Sequence, residues 1–191
     1  MTSATQSESV SKRDQILDAA QEAFATKGFR GAPMAAIATT AGLTQQGLLH
    51  YFATKTHLLL AVLERRQDSD VENFWDFQGS YLDALIELTS ENAQRPGLIR
   101  LFATLSAEGV DPENPGHAWW TDRYAMMRSL VVEALRRDQA AGVLRADLDL
   151  AVTAVQIIAV MDGLQLQWLL HPQEIDMVKA MESFLQTLRA S

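Results

Sequence analysis

GFRGAPMAAIATTAGLTQQGLLHYFATK, residues 28–55, holds two short helical segments on either side of a single glycine. Residues 35–41 read as a helix carrying Ile37, and Gly42 follows as the residue best able to take the left-handed conformation that stops a helix. Thr44 offers a hydroxyl to cap the next helix. Leu48 and Phe52 then repeat at i, i+4 on an apolar side, which leaves Gln45, Gln46, Gly47, His50 and Tyr51 facing outward. Two short helices joined by a glycine-containing turn make a helix-turn-helix. A Gln amide can contact an adenine edge in the major groove, His50 or Tyr51 can donate to phosphate or base, and Gly47 allows close approach. A solvated helical hairpin uses the same residue types, so spacing alone leaves a DNA reader and an unspecified hairpin both open.

The run from Ser11 to about Leu59, roughly a quarter of the chain, resembles the DNA-binding head of the TetR family of transcriptional regulators. The resemblance is carried by Phe24, Lys27, Gly28 and Phe29 at the end of a first helix, then Ile37-Ala38, Ala41-Gly42-Leu43-Thr44, Leu48, Tyr51-Phe52, Lys55 and Leu58. It implies that the second short helix enters the major groove. Residues matching Thr44, Tyr51 and Lys55 would then contact backbone phosphates, while Gln45, Gln46, Gly47 and His50 face the bases. Three places depart from the family's pattern. Ala32 and Pro33 stand where a hydroxyl residue usually caps the helix and touches a phosphate, and Pro33 has no N–H to offer. Leu49 replaces a common Tyr, and Gln46 a common Gly, so fewer phosphate contacts and different base contacts are expected there.

The 191 residues, 48% of them apolar, suffice for one or two domains with a sizeable core. Cysteine is absent, which excludes disulfides, thiolate metal sites and a Cys nucleophile, and is compatible with a cytoplasmic protein. Residues 1–10 are polar, without the apolar core of a signal peptide, and read as a disordered tail. The net charge of −8 looks wrong for a DNA binder until it is divided along the chain. Residues 1–66 carry seven Lys or Arg against five Asp or Glu, a balance of +2, whereas residues 67–191 carry nine against nineteen, a balance of −10. The basic part coincides with the helix-turn-helix. A field of +2 is weak, so binding would rely on local phosphate contacts and on two heads acting together.

Along the chain, Ser11 with Asp14 makes a capping box for a first helix that stops at Gly28, its apolar side formed by Ile16, Leu17, Ala20 and Phe24. Lys12 and Arg13 sit at its start, either within reach of phosphate or as solvated charges. After Lys55 a helix continues with Leu58, Leu59, Val62 and Leu63 facing a core. The body then reads as five further helices with no alternating strand pattern. Ser80 with Asp83 opens one, Pro96 starts the next, and Gly109 ends it. The loop of residues 111–117 precedes a long helix with Trp120, Tyr124, Met127, Val131 and Leu135 on one stripe. Residues 147–170 are apolar nearly all round, implying burial on more than one side; Thr153, Gln156, Asp162, Gln165 and Gln167 interrupt them, which argues against a membrane span. Pro172 is placed at the start of the last helix, where Met177, Met181, Phe184 and Leu188 keep a 4-3-4 spacing beside Ile175, Val178 and Leu185, a stripe wide enough to cover the chain's own core and still meet a partner.

No catalytic constellation is present: no Cys, no His-Glu-x-x-His, no Glu-x-x-His pair and no Gly-rich phosphate loop, so neither an enzyme, nor a metal site, nor a cofactor is expected. The body carries Phe74, Trp75, Phe77, Phe102, Trp119, Trp120, Tyr124 and Trp168, with Asp162 and Gln165 as buried-looking polar residues. These are either ordinary core or the lining of a pocket with a few orienting groups. The family resemblance implies the pocket, since such bodies bind a small molecule between their helices.

The expectation is therefore an all-α chain of about nine helices. Residues 11–53 form a three-helix DNA-binding head, and residues 54–191 a ligand-binding and dimerisation bundle of about six. The candidate DNA-binding residues are Lys12, Thr44, Gln45, Gln46, Gly47, His50, Tyr51 and Lys55. Those for a small-molecule effector, with a lipophilic cation as the candidate class, are Phe74, Phe102, Trp119, Trp120, Tyr124, Asp162 and Gln165. Those for a homodimer through the last two helices are Ile158, Met177, Met181, Phe184 and Leu188. The function implied is a ligand-responsive regulator, a repressor, on a palindromic double-stranded operator. The alternative is a dimeric helical interaction protein whose head no longer binds DNA.

Overall fold

The computed structural model of the protein describes residues 11–76 and 79–190, apart from the side chains of residues 70 and 72–76. The expected tail, residues 1–10, lies outside the described residues, as do the side chains of Phe74 and Trp75 and the whole of Phe77. Among the described residues there are nine helices and no strand, only an isolated bridge between Leu144 and Arg189. The chain divides into two compact units between Arg66 and Gln67.

In the first unit, α1 (Lys12–Gly31) is capped by Ser11, whose hydroxyl accepts from Asp14 N at 3.1 Å. At Gly28 the backbone turns to φ +70°, so the expected stop is a kink after which one further turn reaches Gly31. Next, α2 (Met34–Thr40) closes on Gly42, at φ +68°, which donates to Thr39 O at 3.0 Å while Leu43 donates to Ala38 O at 2.8 Å. Those two bonds satisfy carbonyls that the helix end leaves free, and the left-handed glycine makes them geometrically accessible. Thr44 then caps α3 (Gln45–Tyr51), accepting from Gly47 N at 3.1 Å. Ile16, Leu17, Phe24, Ile37, Leu48 and Leu58 are fully buried and make the small core that fixes α3. The long α4 (Lys55–Asp76) starts in this unit: Leu58, Leu59, Val62 and Leu63 are buried, and Arg65 donates to Asp14 O at 3.3 Å and pairs with Asp18 at 2.8 Å. These ties join the start of α4 to the first unit.

The second unit holds α5 (Tyr81–Ala93), α6 (Pro96–Glu108), α7 (His117–Ala140), α8 (Leu150–Leu170) and α9 (Met177–Gln186). Its core contains Leu82, Leu85, Val131, Leu135, Ile157, Met161 and Leu185. Asp138, near the end of α7 and 5% exposed, accepts from Tyr81 N at 3.1 Å and Leu82 N at 3.2 Å, so a carboxylate from another helix satisfies orphan donors at the start of α5. That negative charge, together with burial as the larger cause, pushes the Tyr81 hydroxyl well above its ordinary value.

Two boundaries differ from expectation. Asp149 caps α8 by accepting from Ala151 N and Val152 N, while Asp147 is paired with Arg145 outside the helix. Pro172 lies in a turn, and α9 begins only after Asp176, whose carboxylate accepts from Lys179 N at 3.0 Å. By length and composition alone α8 is long enough and apolar enough to cross a membrane. Its inner residues Ala154, Ile157, Ile158 and Met161 nevertheless pack in the core of the second unit.

The residues expected to meet a partner pack against the core of the second unit. Ile158, Met177, Met181 and Leu188 are at most 8% exposed within the single chain, and Phe184 packs half-buried against the same core. The 4-3-4 stripe of α9 thus covers the chain's own core. Apart from Val110, in the loop after α6, the large apolar residues left exposed in this unit are on α8: Val152, Val155, Leu166 and Leu170 are each at least half exposed, and Ala159 is exposed between them.

Candidate functional site

On α3, Leu48 is buried and points the opposite face outward, so Gln45, Gln46, Leu49, His50 and Tyr51 are all exposed. The His50 and Tyr51 rings meet edge to face with centroids 6.4 Å apart. Gly47 is half-buried, and a Cβ there would sit at ordinary contact distance from Thr44 Oγ1, 3.4 Å, with Leu43 just beyond, so the glycine's contribution is to leave the surface low.

Two of the three lysines in this unit, Lys12 and Lys55, are fastened to helix ends. Lys12 Nζ donates to Ala41 O at 3.2 Å, at the close of α2, and to Gln15 Oε1 at 2.8 Å. Lys55 Nζ donates to Arg30 O at 3.2 Å and lies 5.0 Å from the centre of the Phe29 ring. Each places a cation where carbonyl ends are negative, which positions the charge without neutralising it. Partial burial lowers the Lys55 ammonium from its ordinary value. Ala32 is fully buried and Pro33 caps α2 with its carbonyl alone, accepting from Ala36 N and Ile37 N. No side-chain oxygen stands there to meet a phosphate.

In the second unit an aromatic cluster forms between α6, α7 and α8. Trp120 packs edge to face on Phe102 at 5.9 Å and on Trp119 at 4.8 Å, and tilted on Tyr124 at 6.3 Å. Gly109 allows this: a Cβ there would come within 2.3 Å of the Trp120 ring. The Tyr124 hydroxyl donates to Asp162 Oδ2 at 2.8 Å. Asp162, expected to be buried, is exposed at the residue level; Tyr124 is a hydrogen-bonding partner, and the Arg123 charge also acts on it. Desolvation raises its carboxyl above the usual carboxylate range, outweighing the Tyr124 bond and the Arg123 charge. Desolvation, then the Asp162 charge, push the Tyr124 hydroxyl up to about 12. Gln165 is half-buried three residues further along α8.

Arg123 joins this cluster through ring faces, contacts that the sequence did not place. Its guanidinium lies 5.3 Å from the Phe102 ring centre and 5.6 Å from that of Trp119, and it donates to Gln67 Oε1 at 3.3 Å. The signal was present in the spacing, since Trp119 and Arg123 are i, i+4 on one helix. A cation already sits on these ring faces.

Residues 16–62 match the sequence pattern of the family described as bacterial regulatory proteins, tetR family, and residues 82–190 match that of the BetI-type transcriptional repressor C-terminal region. The chain is 26% identical over 192 aligned positions to the HTH-type transcriptional regulator UidR of Escherichia coli K12, covering 97% of this chain and 93% of that protein. Its fold is similar to Salmonella enterica GusR, with a TM-score of 0.74 and 24% identity over 97% of this chain and 98% of that one. It is also similar to a putative transcriptional regulator from Saccharomonospora viridis solved in complex with choline, with a TM-score of 0.74 and 23% identity over 94% and 98% of the two chains. Such relatives are regulators, not enzymes. With its helix-turn-helix unit followed by an all-helical second unit, both matched along their length, the chain belongs to the TetR family of transcriptional regulators.

Proposed function

We propose that the protein is a ligand-responsive repressor that binds a palindromic operator as a homodimer in the cytoplasm. The observation that carries this reading is the outward face of α3, where Gln45, Gln46 and His50 stand exposed on a helix fixed by the Thr44 cap and the buried Leu48. Polar amides and an imidazole on a short rigid helix suit base edges, while Tyr51, Lys55 and Lys12 lie at its end or beside neighbouring helix ends, suited to phosphates. Repression is supported by the BetI-type repressor match over the second unit. The direct test is selection of binding sequences from random duplex DNA. An enriched two-fold site supports the reading, and a protein that enriches none is instead an interaction protein with a silent head.

Dimerisation is assigned to the outward stripe of α8. Val152, Val155, Ala159, Leu166 and Leu170 recur at helical spacing on a face that the single chain leaves uncovered, and a two-fold partner presenting the same stripe would bury both. A dimer also supplies the second recognition helix that a head of low positive charge needs.

The effector is assigned to the cluster of Phe102, Trp119, Trp120, Tyr124, Asp162 and Gln165, and its class to a lipophilic cation. Ring faces that already hold the Arg123 guanidinium can hold another cation, and Asp162 supplies negative charge nearby. The neighbour solved with choline is consistent with that chemistry. A quaternary ammonium compound should release the wild-type protein from DNA, and Asp162→Asn should lose the response while keeping its affinity for DNA without ligand. Release by neutral or anionic compounds alone would contradict the cation class.

A further inference from the structure

We propose that Leu49 reads the C5-methyl group of a thymine in each half-site, making it a specificity-determining residue alongside the polar residues of α3. The proposal rests on the DNA-binding reading above and extends it to a residue whose chemistry cannot serve a phosphate.

A single exposed leucine means little by itself. Its position gives it weight. At roughly 100° per residue along a helix, with Leu48 pointing into the core, Gln46 and His50 lie opposite it at the centre of the outward face. Leu49 lies on one flank of that face, directly above Gln45 at i, i+4, and Gly47 and Tyr51 lie on the other. Leu49 is 39% exposed, so its isobutyl group projects from the surface rather than lying in the core. Any duplex whose bases are reached by Gln46 and His50 would therefore also meet Leu49.

An aliphatic side chain has no hydrogen bond to offer a phosphate or a polar base edge. The one apolar group that the major groove presents is the thymine methyl, and apolar side chains recognise it by contact. Gln45, one turn earlier on the same flank, is of the type that pairs with adenine, so a neighbouring A·T-rich step suits both residues. Burying one methyl group against Leu49 corresponds to about fourfold in affinity per half-site, or about fifteenfold for a dimer engaging two.

The test uses the full-length protein and the duplex obtained by sequence selection, with each thymine replaced in turn by deoxyuridine, which removes only the methyl group. Wild-type protein should lose about fourfold in affinity at one thymine per half-site when that position alone is changed. The Leu49→Ala variant should bind the unmodified duplex more weakly and show no further loss at that thymine. Because Leu49 is outside the core, the variant should keep the wild-type helical content by circular dichroism. Equal losses in the two proteins at every thymine, or no methyl-sensitive thymine in the wild type, would overturn the assignment while leaving DNA binding in place. Failure to select any duplex would overturn both.

Discussion

The Tyr124 hydroxyl donates to Asp162 Oδ2 across 2.8 Å, joining α7 to α8 at a point on the outward face of α8 between Ala159 and Leu166. One end of the bond belongs to the aromatic cluster, and the other to the face assigned to a second copy of the chain. Surroundings that disfavour the carboxylate raise its folded-state pKa above the unfolded value. The stability that Asp162 contributes is then fully present below the ordinary carboxylate pKa and is lost as pH rises through the folded-state value. Asp162→Asn keeps an oxygen to accept from Tyr124 and has no charge to desolvate. Thermal melting should show the two proteins alike near pH 3.5, with the variant the more stable by pH 7. A variant less stable at pH 7 would show that the charge itself is stabilising.

Thr44 fixes the start of α3 by accepting from Gly47 N. Thr44→Ala should cost about 1 kcal/mol by denaturant unfolding, and Thr44→Ser should restore most of it. On DNA, the alanine variant should weaken binding to every sequence without altering which sequence is preferred, because the cap positions the helix and does not read bases. A changed preference would assign Thr44 a base contact.

The outward stripe of α8 and the inward stripe of α9 should respond differently to the same kind of change. Val155→Asp or Leu166→Asp places a charge where the single chain is half exposed, so the expected product is a folded monomer by light scattering with native helicity. Met181→Asp buries an unpaired carboxylate at a fully buried position and should give unfolded or insoluble protein. An unchanged dimer in both α8 variants would remove that face from the interface.

These contrasts show which parts of the structure were legible in the sequence. Local chemistry was: the Ser11, Thr44 and Ser80 caps, the left-handed Gly42, and the stripe of α7 are each written within a few adjacent residues. Long-range choices were not. Asp138 could not be assigned to the start of α5, 56 and 57 residues away, from any spacing. On α8, apolar nearly all round, periodicity cannot say which face meets the core and which is left outside. On α9 a wide stripe can serve the chain's own core and a partner alike, and spacing cannot divide its residues between the two. Pro172 suits a first helical turn, but Asp176 offers the stronger cap, and the helix begins there.

Two copies of α3 reading DNA together should leave a signature in the sequences that the whole chain selects from random duplexes. The expected result is an enriched two-fold symmetric site with half-site centres about 34–36 Å apart or a multiple of that, its preferred bases changing in Gln46→Ala or His50→Ala while Lys55→Ala weakens all sequences alike. No enriched sequence, or an enriched site without two-fold symmetry whose preference survives both α3 substitutions, would contradict it.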